Sequence, residues 1–190
     1  MQTVELDMPL VYLGREYKTN MKGFLDQHIR ETIWFSYREK MPAIMPEIFT
    51  KKAITCDRGW GCMIRCGQMM LAECIKRHYE FQEKLLDEVK HESLLTIISL
   101  FADFVKEAII APFSIQQLCR VAYETFGSRP GEWYRASSVM MGLDILNEKH
   151  GQRRIKGFRM CIFKEGTIYE DQIFAKVYKT VEGNIIALKE

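Results

Sequence analysis

Cys62 stands behind the run Gly59-Trp60-Gly61 and in front of Met63-Ile64-Arg65-Cys66-Gly67-Gln68. Gly59 and Gly61 allow backbone angles closed to other residues, so the chain can turn sharply there and come close to another backbone. From Met63 on, Met63, Gly67, Met70, Leu71, Cys74 and Ile75 recur at helical spacing. Cys62 is therefore expected at the first turn of a helix, where unpaired N–H groups and the macrodipole favour an anion. A thiol so placed is pushed toward thiolate, the form in which cysteine is a nucleophile. The alternative is a cysteine that packs as a small hydrophobe at the start of a core helix. The glycines, which let a substrate backbone approach, and the neighbouring Trp60 favour the nucleophile.

Other uses of the six cysteines are less well supported. No Cys-x-x-Cys pair occurs, and Cys62, Cys66, Cys74 and His78 spread along about 24 Å of predicted helix, too far to meet at one metal ion. A Cys62–Cys66 disulfide is disfavoured too, because helical neighbours four apart hold their Cβ atoms about 5–6 Å apart against the ~3.8 Å needed. The first residues lack a basic segment followed by an apolar run, so the cysteines point to a reducing, cytoplasmic setting. No metal and no cofactor are expected.

The elements around the cysteine follow from the apolar periods. Val11–Tyr17 reads as a short strand interrupted at Gly14, and residues 24–37 as an amphipathic helix ended by Pro42. A loop over 45–56 leads into the nucleophile turn. The main helix is expected from Cys62 to about His78, a polar helical stretch over 81–91, and a long buried helix over 94–110. Ser114 with Gln117 starts a further helix and Gly127 ends it. Ser137 is expected to cap a helix through Lys149, with Gly151 as its stop. After Gly151 the period changes. Ile155, Phe158, Met160, Ile162 and Phe163, and later Ile168, Ile173, Ala175, Val177 and Ile185–Leu188, alternate as two or three short strands. Helices to about residue 151 and a sheet starting near 152 give an α+β class within one domain spanning 1–190. The formal charge of +2 over 190 residues argues neither for nucleic acid nor for an anionic membrane surface. No apolar run reaches the ~18 residues of a membrane span.

The run Asp57-Arg58-Gly59-Trp60-Gly61-Cys62-Met63-Ile64-Arg65-Cys66-Gly67-Gln68-Met69 resembles the nucleophile segment of the autophagins, the cysteine proteases that process and delipidate a ubiquitin-like autophagy modifier. Tyr12-Leu13-Gly14-Arg15-Glu16-Tyr17, Ile33-Trp34-Phe35-Ser36-Tyr37-Arg38 with Pro42-Ala43-Ile44, Ala111-Pro112-Phe113-Ser114-Ile115 and Gly131-Glu132-Trp133-Tyr134 resemble further segments in the same order. The resemblance covers about residues 11–145 and implies a papain-like cysteine protease fold. By resemblance Cys62 is the nucleophile. Tyr37, on its own residues a packed ring or a phenol facing the site, becomes the donor that shares the oxyanion with the Cys62 N–H. Trp133, otherwise a core anchor, becomes a lid over a channel that admits only a glycine-ended tail. With Trp60 and Gly61 it makes the substrate-binding set. The implied partner is a ubiquitin-like modifier ending in glycine.

One part is missing. The base must bring an imidazole within about 3 Å of the sulfur. His78 lies four helical turns from Cys62, His91 and His150 suit solvated or capping places, and His28 has no orienting carboxylate nearby. The family takes its base from an Asp-Pro-His segment, and no Asp-Pro-His occurs in this sequence. The chain also finishes on strand-like residues 184–190, and an unpaired strand edge invites completion. The expectation is an N-terminal portion of a two-part enzyme, its histidine and aspartate supplied by another segment or a second chain. The alternatives are a binding module that holds the modifier without cutting it, and a different papain-like thiol hydrolase.

Overall fold

A computed structural model describes residues 8–49, 51, 53–83, 90–104, 107–163 and 169–173. The chain divides into two compact units, residues 1–35 and 36–190.

In the first unit Leu10–Tyr12 (β1) and Arg15–Tyr17 (β2) pair antiparallel, with Leu10 opposite Tyr17. Leu13 and Gly14 both take positive φ, 48° and 81°, which closes a two-residue hairpin where one interrupted strand was expected. Lys22–Glu31 (α1) follows. It stops six residues short of Tyr37: the Thr32 hydroxyl donates to His28 O, the Thr32 N–H to Ile29 O, and the chain leaves extended. The expected helix to Tyr37 is thus corrected, and Tyr37 belongs to the second unit.

The second unit is helical. Cys62–Glu83 (α2), Lys90–Ser99 (α3), Ile115–Phe126 (α4) and Ala136–Leu146 (α5) are its main elements. Gly67 lets α2 and α5 approach closely, since a Cβ there would meet Val139 Cγ1 at 2.6 Å. Ile64, Leu71, Ala72 and Ile75 of α2 pack into a core with Ile97, Leu100, Phe113, Leu118 and Leu143. Met70 and Cys74, expected on that buried side, are exposed, while Arg65 and Gln68 are buried in their place.

Three further expectations change. The helix over 94–110 ends at Ser99, where Leu100, Phe101 and Ala102 switch to bonds three residues back and free Leu100 O to accept from Phe113 N. Ser137 caps nothing: α5 begins one residue earlier, after Arg135. Gly151 is not a stop either. It lies in a π-helical turn, Asn147–Gly151, that runs on through Gln152–Arg154, and its missing side chain makes room for Asn147 Oδ1 and Phe113.

The alternating pattern from Ile155 to Phe163 forms no strand among the described residues. Ile155 is buried, Gly157 turns at φ 76°, and the Phe158 ring packs edge-on against His78. Ile173 lies in a short helical turn. Ile168, Ala175, Val177 and Ile185–Leu188 lie outside the described residues. What is described is a mixed, mainly helical chain with one two-stranded sheet.

Candidate active site

The turn that leads into Cys62 is built from backbone first. Residues 38–44 run beside residues 54–57, with Met41 N donating to Thr55 O, Ile44 N to Ile54 O and Asp57 N to Arg38 O. Trp60 N and Gly61 N then both donate to Asp57 O, and Arg65 N donates to Gly61 O as α2 begins. Gly59 sits at φ 87°, where a side chain would be strained. Gly61 is excluded from bearing one by contact: its Cβ would lie 2.7 Å from Asp57 Cβ and 2.8 Å from Asp57 Oδ2. Both glycines expected to shape the turn do so, for different reasons.

Cys62 is the first residue of α2 and is half-buried, so its side chain is not sealed in the core. Trp60 is only 6% exposed; its indole N–H donates to Cys56 O and its ring leans on Tyr134 at 6.0 Å. Trp60 thus braces the turn from beneath. Trp133 is the opposite, 81% exposed, with its indole N–H donating to Gly59 O at 2.9 Å. A cleft of about 580 Å³ opens beside it, lined by Phe126, Glu132, Arg135, Ser137 and Met141 among others. Tyr37 is 46% exposed, and its neighbour Arg38 is tied to Asp57.

Under the turn lies a charged network that the sequence reading did not single out. Asp57, wholly buried, accepts from Arg38 N through Oδ1 and from Arg65 Nε through Oδ2, each at 2.6 Å. Arg65 is 3% exposed; its other nitrogens reach Asp103 Oδ2 at 2.8 Å and Gln68 Oε1 at 3.0 Å. Gln68 in turn donates to Phe113 O, and Asp103 Oδ1 accepts from Ile115 N. Burial pulls the Arg65 pKa down, but the two carboxylates, Asp103 foremost, outweigh it and hold the pKa above the ordinary arginine value. Arg65 stays charged. The available signal was a charge and an amide, Arg65 and Gln68, set between Ile64 and Leu71 in an apolar helix, and Asp103 in an apolar run.

Two of the histidines are otherwise engaged. His28 Nδ1 bonds to the Tyr17 hydroxyl within the first unit, and His78 Nε2 to Lys156 O. His150 is half-buried in the π-helical turn. His91 lies on α3, its side chain outside the described residues. Of the other thiols, Cys66, Cys74 and Cys161 are exposed, while burial pushes the Cys119 thiol up to about 12.

Comparison with known proteins bears on this arrangement. The family model for the Peptidase C54 catalytic domain matches residues 22–187. A "Probable cysteine protease atg4" of Penicillium rubens is 32% identical over 188 residues, covering 86% of this chain and 43% of that protein. Proteins of the same name from Phaeosphaeria nodorum and Aspergillus oryzae are 31% and 27% identical, covering 84% and 80% of this chain. The chain spans about two-fifths of the length of the Penicillium and Aspergillus relatives and a third of the Phaeosphaeria one. With its half-buried cysteine at the head of α2 and a match over most of its length, the chain belongs to the Peptidase C54 family.

Proposed function

We propose that this chain contributes the nucleophile and oxyanion side of a cysteine protease that cuts a ubiquitin-like autophagy modifier after its C-terminal glycine. The observation that carries the reading is Cys62, half-buried on the first turn of α2 behind a glycine turn. The names of the fungal relatives supply the reaction type and its link to autophagy. The Cys62 thiolate attacks the glycine carbonyl, and negative charge builds on the carbonyl oxygen. The Tyr37 hydroxyl and the Cys62 backbone N–H donate to that oxygen. Collapse breaks the C–N bond, the amine leaves with a proton, and water hydrolyses the thioester to free carboxylate and thiol. When the amine belongs to a lipid, the same steps release the modifier from a membrane. The exposed Trp133 lies over the tail.

In this reading the residues form the N-terminal portion of one papain-like domain, acting in the cytoplasm. A segment or chain outside these residues brings the histidine and its carboxylate. Among the described residues no helix is long and apolar enough to cross a membrane.

The engaged His28 and His78 favour a second reading, a module that binds the modifier without cutting it. Separate incubations of the complete enzyme, its histidine-bearing segment included, with a tail-extended modifier and with an iodoacetamide probe tell the two apart. The protease is expected to remove the tail, to label at Cys62, and to lose turnover by at least about 10³-fold in Cys62→Ser. Binding with neither labelling nor cleavage establishes the module. Cys119 is an internal control: it stays protonated at pH 8 and is expected to label only after denaturation.

A further inference from the structure

Asp57 spends every polar atom it has on one of three neighbours. Its N–H and its Oδ1 take the O and the N–H of Arg38. Its O accepts from Trp60 N and Gly61 N. Its Oδ2 accepts from Arg65 Nε. The first neighbour is the residue after Tyr37. The second is the turn that ends at Cys62. The third is on α2 itself, three residues beyond Cys62, so its guanidinium moves with the nucleophile.

We propose that Arg65 is a positioning residue that acts through Tyr37, gripping Asp57 so that the Tyr37 segment and the head of α2 keep a fixed spacing. The inference rests on the oxyanion roles assigned above to Tyr37 and the Cys62 N–H. Two donors that share one oxyanion must be set before the charge develops, because donors that have to reorganise during the reaction stabilise it less. Tyr37 is half-exposed and lies on a segment without regular secondary structure. Its placement has to be imposed from the neighbouring residue. Arg65 meets three partners with three different nitrogens, Asp57 through Nε, Gln68 through one terminal nitrogen and Asp103 through the other. That uses the planar fork of a guanidinium, and the single ammonium of lysine cannot reproduce it. The absent side chain at Gly61 lets Asp57 lie directly against the residue before Cys62, which leaves the linkage little slack.

The test compares the wild-type protein with Arg65→Lys, each with and without Tyr37→Phe. In Arg65→Lys, amide exchange at Arg38 is expected to rise at least about tenfold, with amides in the middle of α4 unchanged. Cleavage of a tail-extended modifier is expected to fall in kcat with KM kept. Tyr37→Phe, costing the wild type about tenfold or more, is expected to cost Arg65→Lys less than about threefold. Unchanged exchange at Arg38, or an equal cost of Tyr37→Phe in both backgrounds, overturns the proposal. Asp57→Asn keeps an oxygen for Arg38 N and is expected to show the same pattern, which covers the case in which Arg65→Lys does not fold. If neither variant folds where the wild type does, the network is a stability element and the proposal falls. A wild-type protein that binds the modifier but cleaves nothing defeats the protease reading instead, and the exchange at Arg38 then decides the linkage by itself.

Discussion

Two helix starts in the second unit are made in opposite ways. α4 is started locally: Ser114 Oγ accepts from Gln117 N, Leu118 N donates to Ser114 O, and Gly127 at φ 69° closes the far end. Its side-chain cap and its stop each adjoin the helix, and Asp103 Oδ1, 12 residues before Ile115, adds one bond from Ile115 N. α2 begins after Gly61, which has no side chain with which to cap anything. Its head is held across the chain, by Arg38, 19 residues before Asp57, and by two carboxylates that clamp Arg65 of α2. A local cap fills the end of a helix with the protein's own side chain. A start held from beneath leaves the end free for a ligand, which is what the proposed role of Cys62 needs.

The contrast predicts unequal costs. Asp57→Ala is expected to destabilise the protein most, by about 3–5 kcal/mol, since it leaves the buried Arg65 short of a counter-charge and strips Arg38 N of its acceptor. Denaturant unfolding measures it, and a cost near that of a simple cap would end the comparison. Gly61→Ala comes next, at about 1–3 kcal/mol, because the new methyl meets Asp57 Cβ at 2.7 Å and the turn must shift. It is also expected to slow alkylation of Cys62, a readout separate from stability. Ser114→Ala is expected to cost about 1 kcal/mol and to leave Cys62 labelling untouched. If Ser114→Ala slowed labelling as Gly61→Ala does, the two starts would not be independent.

The same contrast marks what could be read in the sequence. Ser114 and Gly127 were legible as start and stop because each signal and its effect lie within one turn of helix. The glycine turn and the place of Cys62 at the helix head were legible for the same reason. Arg65, Gln68 and Asp103 were not, because their partners are set by tertiary packing that no local period reports. Periodicity even misled: it put Met70 and Cys74 on one side with Leu71 and Ile75, and the structure exposes both and buries Arg65 and Gln68. The strands expected after Gly151 failed at Ile155–Phe163 because alternation describes a surface to be covered, not the partner strand that would pair with it. Tyr37 was assigned to a helix that Thr32 ends early, yet the irregular segment that carries it is tied directly to the turn before Cys62.

The smallest expected effect on stability falls at Trp133→Phe, and it probes the outer side of the turn rather than its support. The substitution keeps an aromatic ring and removes only the N–H that donates to Gly59 O at 2.9 Å. Because the ring is 81% exposed, water takes over both the donor and the acceptor when that bond is lost. The stability change is therefore expected to stay within about 0.5 kcal/mol. Gly59 is three residues before Cys62, so the same bond ties the ring to the turn that a substrate tail would have to cross. Holding an exposed ring there does nothing for the core, and under the proposed function its use lies in what the ring covers. Turnover of a tail-extended modifier is accordingly expected to fall several-fold in Trp133→Phe, with the unfolding midpoint unmoved. A shifted midpoint with unchanged turnover would make Trp133 part of the support after all, and would place it with Trp60 beneath the turn.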